Sequence, residues 1–369
     1  MKVLMITQWK NPGFSYSHFL ADSLRKIGID LAILEWDYPL LSKKKILAPL
    51  LRLRELLSYF TISEVIHVQY TLGMYHVLFL PIVVVIKLFT RKKLVITLHE
   101  HYLYRDINNV LSKIIRLYLW FFCSFASLII VHSNSEKELL PLSLKKKAVK
   151  IPHGVVYKED DSNEQKRGDN LILLAGVITR HKGHKIAINA MEKIVKVKPD
   201  AKLYIVGSPP SKSVTGLGKD EQYLPELRRL VKSKGLENNV IFINKFLDNK
   251  EFLDFFKKCT IAVLPYPKET TSSGILADVF SNSIPAVMTD APVFREHTKN
   301  KAIYFSNGDH NELADKMLDL LKDRKKREEM SKEFKKLAKE YSWENVAKKH
   351  ARVYALLLNK SGQSLEGEC

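Results

Sequence analysis

Short β-branched apolar runs alternate with longer amphipathic stretches from one end of this chain to the other. In the first half the pattern predicts strands over 2–7, 30–34, 65–68, 94–98 and 128–131, with helices that include 15–27 and 108–125 between them. The second half repeats the style. Strands are expected over 171–175, 202–206, 240–243, 261–264, 286–288 and 302–305, and helices over 184–197, 223–233, 250–259 and 274–282. These strands are apolar at successive positions rather than alternate ones, as in parallel sheets covered by helices on both faces. The fold class expected is α/β, with two doubly wound sheets. A charged, apolar-poor segment, 157–170, reads as a linker. The expected organisation is an N-terminal domain over 1–156, that linker, a second domain over 171–341, a terminal helix over 342–359 and a disordered tail over 360–369.

At 369 residues the chain is too long for one ordinary core, which agrees with two domains. Two apolar runs raise the question of a membrane span. The run 77–90 contains Pro81 and Lys87, and the run 114–131 contains Arg116 and a central Cys123-Ser124. A spanning helix needs about 20 apolar residues, so neither run is read as a span, and the second is expected to be a buried helix followed by a buried strand. In-plane contact with a membrane stays open for both. The N-terminus lacks the pattern of a signal peptide, and Cys123, Cys259 and Cys369 are too far apart for a metal or redox motif. A cytoplasmic protein, with Cys123 and Cys259 in the core, is the expectation.

Charge sharpens this picture. The net charge is +19, and residues 1–150 hold 21 lysines and arginines against 10 acidic residues, whereas the remaining 219 hold 38 against 30. Basic–apolar mixtures in the first part suit an anionic surface: membrane headgroups, a diphosphate lipid or nucleic acid. A lysine-rich proteome is the plainer explanation.

Candidate chemistry collects where apolar strands end. The run Ile261 to Leu264 stops at Pro265 and Pro267, opens into Glu269-Thr270-Thr271-Ser272-Ser273-Gly274, and enters a helix that carries Asp278 one turn inside. A strand–loop–helix of this kind aims unpaired backbone N–H groups beyond the strand end, where they suit an anion. After the strand at 171–175 come Gly176, Arg180, Lys182, Gly183 and Lys185, cations close to a helix start that would neutralise a leaving diphosphate; an ordinary solvated turn is the alternative. His99 directly follows a parallel strand, at the functional edge of such a sheet. His101, His132 and His153 read more simply as structural histidines. Gly13, after the first strand, either makes a tight turn or lets the backbone approach a ligand. Asp290, Arg295 and Glu296 follow a third strand and read as surface and capping residues, with a cleft role open for Glu296. There is no DxD pair, HExxH or CxxC, so no metal site is expected.

Taken together these residues resemble the GT-B glycosyltransferases of family 4, retaining enzymes that use nucleotide sugars. The likeness is strongest in Gly176…Lys182-Gly183, in Val263-Leu264-Pro265-Tyr266 through Pro285-Ala286-Val287, and in Tyr341-Ser342-Trp343-Glu344…Tyr354. It implies two Rossmann-like domains facing a cleft, with a C-terminal helix crossing back to the N-terminal domain. The second domain would bind a UDP- or GDP-hexose and the first a glycan or lipid-linked glycan acceptor. Lys182 matches the family's diphosphate lysine. Arg180 would replace an arginine that normally follows Gly176 directly, where this chain has Val177. Ser272, Ser273 and Gly274 would cradle the phosphates, with Lys185 nearby. Asp278 would hold the ribose where a glutamate is usual. Glu269, one residue before the usual place of another glutamate, would hold donor hydroxyls, and His99 would reach the sugar. No cofactor, no metal and no nucleic-acid partner are implied; an anionic membrane surface is a further partner the charge admits. The rival readings are a sugar-nucleotide epimerase of the same fold and a non-catalytic protein binding anionic lipid or nucleic acid.

Overall fold

The computed structural model describes residues 1–7, 15–35, 53–70, 79–90, 92–99, 110–159, 168–209, 222–244, 248–266 and 272–359. The chain divides into two compact units, Met1–Gly154 together with the chain from Tyr341 onward, and Val155–Glu340. The division falls ahead of the 157–170 segment expected as a linker, of which 160–167 lie outside the described residues. Ser281 Oγ donates to the Val156 carbonyl at 2.7 Å and ties the start of the second unit to its own body.

In the first unit six parallel strands are β1 (Lys2–Thr7), β2 (Asp30–Glu35), β3 (Val65–Tyr70), β4 (Lys93–Leu98), β5 (Leu128–Val131) and β6 (Ala148–Lys150), in the spatial order β2-β1-β3-β4-β5-β6. Helices α1 (Ser15–Lys26), α2 (Leu53–Ile62), α3 (Phe79–Thr90), α4 (Val110–Ser124), α5 (Asn134–Glu138) and α6 (Leu142–Lys145) connect them. Alternation within each strand divides the sheet into two unlike faces. One face presents Leu4, Ile66, Leu94 and Ile129 to Phe60, Val83, Leu119 and Phe122 of α2, α3 and α4. The other presents Thr7, His67, Gln69 and Thr97, buried polar residues toward the carboxyl ends of their strands. Buried polar groups need partners. Thr7 Oγ1 lies 2.7 Å from Ser17 Oγ on α1, and His67 Nδ1 lies 2.6 Å from the Tyr354 hydroxyl.

Tyr354 belongs to the last helix, Trp343–Leu358, which packs on α1 inside the first unit. Trp343 heads this helix, edge-on to Tyr16 and stacked on Phe19, and a Cβ on Gly154 would fall 2.3 Å from its indole. The run 114–131 forms α4 and β5, but α4 is not buried all round as expected: Leu117, Trp120 and Phe121 are exposed. Among its described side chains, Leu119, Phe122 and Cys123 are buried in the core, with Tyr118 packed against it. No helix among the described residues is long and apolar enough to cross a membrane.

The second unit holds β7 (Leu171–Ala175), β8 (Lys202–Val206), β9 (Val240–Ile243), β10 (Ile261–Leu264), β11 (Ala286–Thr289) and β12 (Ile303–Phe305), again parallel, in the order β12-β11-β10-β7-β8-β9. Its helices are α7 (His184–Val197), α8 (Tyr223–Ser233), α9 (Asn249–Lys258), α10 (Gly274–Ser281), α11 (Pro292–Thr298), α12 (His310–Lys322) and α13 (Arg324–Glu340); the terminal helix Trp343–Leu358 is α14. Strand order runs one way from β7 through β8 and the other way from β10 through β11. The reversal therefore lies between β7 and β10, the place where open α/β sheets leave a crevice beyond their strand ends.

Candidate functional site

The two segments singled out in the sequence of the second unit, Gly176–Lys185 and Ser272–Asp278, flank this reversal. Gly176 leaves β7 at φ 114 and Gly183 opens α7 at φ 67, backbone that favours glycine. A Cβ on Gly183 would stand 1.6 Å from the Pro265 carbonyl oxygen, so only glycine lets the two loops touch. Between the glycines, Arg180–Lys182 form a single 3-10 turn. That turn sends the two cations in different directions.

The Lys182 ammonium lies 4.0 Å from the centre of the Tyr266 ring. Tyr266 is buried, packs on Phe294, and its hydroxyl lies 3.1 Å from Ser273 Oγ. Ser273 is the N-cap residue of α10, but its side chain does not cap the helix. Among the described residues no group accepts from the amides of Gly274 and Ile275. Gly274 is exposed, and a Cβ there would meet nothing within 4 Å. A lysine ammonium and an open helix N-terminus thus stand on neighbouring loops at one sheet edge, the arrangement that takes an anion. Ser272 Oγ lies 2.8 Å from His297 Nε2 of α11.

One turn into α10, Asp278 is half-buried, and burial pushes its carboxyl up to about 7. No side chain among the described residues hydrogen-bonds that carboxylate, whereas its backbone carbonyl takes the N–H and Nδ2 of Asn282.

Arg180 turns away toward α8, where its guanidinium lies over Tyr223 and pairs with Glu226 at 2.9 Å. Lys185 pairs with the same carboxylate. Glu226 offsets part of the positive charge expected of this cluster. On β11's far side Asp290 and Arg295 form a surface ion pair, as their exposed reading anticipated, and Glu296 is half-buried on α11. Gly13 and Glu269 lie outside the described residues, as does His101. Among the described residues no group of three or more His, Cys, Asp or Glu side chains could hold a metal.

His99 sits at the end of β4 in the first unit. Its Nε2 lies 2.8 Å from the Gln69 side-chain amide and its Nδ1 lies 3.2 Å from His132 Nε2. His132 Nδ1 donates to the Ile151 carbonyl at 3.0 Å, which leaves its Nε2 as an acceptor. Burial, with His132 next in importance, holds the His99 imidazole well below its ordinary value, and burial lowers His132 to about 4. Tyr16, His132 and His153 pack around the His99 side chain or one another. His132 and His153 are structural partners of this cluster, as expected, and His99 Nε2 and Nδ1 face two acceptors, Gln69 Oε1 and His132 Nε2, of which a neutral imidazole can serve one.

Sequence reasoning missed Tyr266, Glu226, Tyr223 and His297. Tyr266 stood in plain view between two prolines, yet nothing in a sequence says that a loop tyrosine is a buried floor under a lysine. Glu226 lies 41 positions from Lys185, and only the packed helices join them.

Comparison with known proteins gives this geometry a family. Residues 156–337 match the family Glycosyl transferases group 1. An uncharacterized glycosyltransferase of Methanocaldococcus jannaschii is 27% identical over 201 residues, 53% of this chain and 47% of that protein. The matched part of the chain thus spans about half the length of that relative. Among solved structures, HepE of Anabaena in complex with UDP superposes with a TM-score of 0.73 at 16% identity, covering 96% of this chain and 100% of the other. Sucrose-phosphate synthase from Thermosynechococcus elongatus reaches 0.76 at 16% identity, covering 98% and 100%. These likenesses establish the fold. The chain has the GT-B fold, and its residues 156–337 belong to the glycosyl transferases group 1 family, a glycosyltransferase domain.

Proposed function

We propose that this chain is a retaining glycosyltransferase that moves a hexose from a UDP or GDP sugar to a glycan or lipid-linked glycan acceptor, in cell-surface polysaccharide or glycoprotein glycan synthesis. The observation that carries the reading is the Lys182 ammonium beside the open N-terminus of α10, at the strand-order reversal of the second unit. When the bond from the sugar's anomeric carbon to the diphosphate breaks, negative charge grows on the departing oxygens. Fixed positive groups aimed there lower the barrier because they need no reorganisation. Lys182 and the α10 amides fill that role, and Arg180 joins them if the donor draws it from Glu226. Asp278 is assigned the ribose hydroxyls: an unpaired, desolvated carboxylate gains most from neutral donors. Glu269 is assigned the donor sugar, as is His99 from the first unit; Gly13, Lys185, Ser272, Ser273, Gly274 and Glu296 complete the assignment. HepE, of the same fold, has been seen with UDP, which favours a uridine donor. Cationic and amide groups stand in for a divalent metal in this reading, and chelation is expected to leave turnover unchanged. The protein is assigned to the cytoplasm and the inner face of the cell membrane.

The test is a thermal-shift panel of UDP and GDP sugars followed by analysis of the product's anomeric configuration. A ligand at 100 times its Kd stabilises by about 2.7 kcal/mol, so a true donor stands out. No shift with any nucleotide sugar contradicts the proposal. Interconversion of the nucleotide sugar without transfer would make the chain an epimerase, and inversion at the anomeric carbon would remove the retaining assignment.

A further inference from the structure

The helices covering one face of the first sheet turn large apolar side chains outward. Val85, Leu88 and Phe89 on α3, and Leu117, Trp120 and Phe121 on α4, are all exposed, Phe89 at 86% and Leu117 at 65%. α3 packs against α4, and Trp120 Nε1 reaches Ser143 Oγ at 3.4 Å, beside Leu142, which is 77% exposed. The exposed apolar positions therefore lie on three neighbouring helices, α4 with α3 on one side and α6 on the other. In the second unit the exposed large hydrophobics among the described residues are Val177 and Val197 alone. A water-facing helix would carry polar residues at these places. Exposed apolar positions gathered on neighbouring helices mark an interaction site.

Charge decides what covers it. Neither α3 nor α4 contains an aspartate or glutamate. Lys87 lies within α3, Lys92 follows it and donates to the Thr61 carbonyl, and Lys147 caps the end of α4 through the Ser124 and Ala126 carbonyls. Lys87 is near enough to Lys147 to repel it. A second copy of the chain, docked symmetrically, would bring this cationic surface against itself. An anionic bilayer offers opposite charge and an apolar layer together. α3 and α4 are 12 and 15 residues long, too short to span, which suits helices lying in the interface.

We infer that the α3–α4 face docks the protein on anionic phospholipid, with Leu88, Phe89, Leu117 and Phe121 entering the headgroup region and Lys87, Lys92 and Lys147 meeting the lipid charge. The inference rests on the membrane-facing reading above but not on the donor site, and its test uses no donor. Full-length protein is sedimented with vesicles of phosphatidylcholine alone or phosphatidylcholine with phosphatidylglycerol. Binding is expected only with phosphatidylglycerol and is weakened at about 0.5 M salt. The double variant Leu88→Ser/Phe89→Ser is expected to bind at least about tenfold more weakly, because it removes the buried apolar area. Lys87→Glu is expected to lower affinity several-fold. Both variants should keep the wild-type melting temperature and nucleotide-sugar thermal shift. The inference is overturned by absence of phosphatidylglycerol-dependent binding, by a double variant that binds as wild type, or by a dimer in analytical ultracentrifugation that the double variant dissolves.

Discussion

The Lys182 ammonium rests 4.0 Å above the centre of the Tyr266 ring, while the Tyr266 hydroxyl meets Ser273 at the start of α10. One buried side chain thereby sets the spacing between a cation and a helix N-terminus. Removing the hydroxyl alone, in Tyr266→Phe, leaves the ring under Lys182, and donor KM is expected to rise only a few-fold, as for one lost hydrogen bond of about 1 kcal/mol. Tyr266→Leu removes both contacts, and an increase on the order of tenfold is expected from the loss of the cation–π contact and helix positioning. Steady-state kinetics decide the matter. Equal KM values for Tyr266→Leu and wild type would leave Tyr266 as core packing alone.

Asp278 is held where its charge is disfavoured, with burial as the cause. A carboxyl whose folded value is raised from 3.8 to about 7 keeps its proton in the folded state while the unfolded chain has lost it. The folded state binds more protons in that interval, so stability falls as pH rises through it. Asp278→Asn is therefore expected to stabilise the protein at pH 8, on the order of 2 kcal/mol, while weakening donor binding. Melting curves from about pH 4 to pH 8 should diverge upward for the variant. Parallel curves would show that the carboxylate is not desolvated as described.

The histidines of the first unit carry the opposite sign. His67, His99, His132, His153 and His350 are all held below their ordinary value, with burial the leading cause. Between 6.5 and about 4 the unfolded chain binds protons that the folded chain refuses, so stability drops as pH falls through that window. His350 Nδ1 donates to the Val346 carbonyl, and its buried Nε2 has no hydrogen-bond partner among the described residues. His350→Phe removes a proton acceptor and an orphaned buried nitrogen together. It is expected to raise the melting temperature at pH 5 more than at pH 7.5, and an equal shift at both would contradict the assignment.

Gly154 leaves room for the Trp343 indole, which a Cβ would approach to 2.3 Å. Gly154→Ala should displace Trp343 and loosen α14, at a cost of about 1–3 kcal/mol. The expected readouts are a lower melting temperature and a shifted tryptophan emission. An unchanged melting temperature would mean that α14 is not held through this contact.

Much of this architecture was legible in the chain. Doubly apolar strands such as Ile261–Leu264 and Leu171–Ala175, alternating with amphipathic helices, point to a covered parallel sheet, and all eleven expected strands form. The loops at Gly176–Gly183 and Ser272–Gly274 could be seen as anion-binding candidates because glycine, cations and a helix start are local signals. Strand order is not local. That β7 lies beside β10, bringing Lys182 to α10, depends on which edges pair after the helices pack. The three-residue strand β6 gives too short a pattern to recognise. The outward apolar face of α4 was hidden for a different reason: a run that is hydrophobic around the helix does not reveal which side the core takes.

The central claim is that Lys182 and the α10 N-terminus bind the diphosphate of a nucleotide sugar. Isothermal titration of the donor found in the thermal-shift panel into wild type and Lys182→Ala tests it directly. With Lys182→Ala folded to the wild-type melting temperature, affinity is expected to fall on the order of 100-fold, as for a lost charge-assisted contact to phosphate. Wild-type affinity in that folded variant would contradict the account.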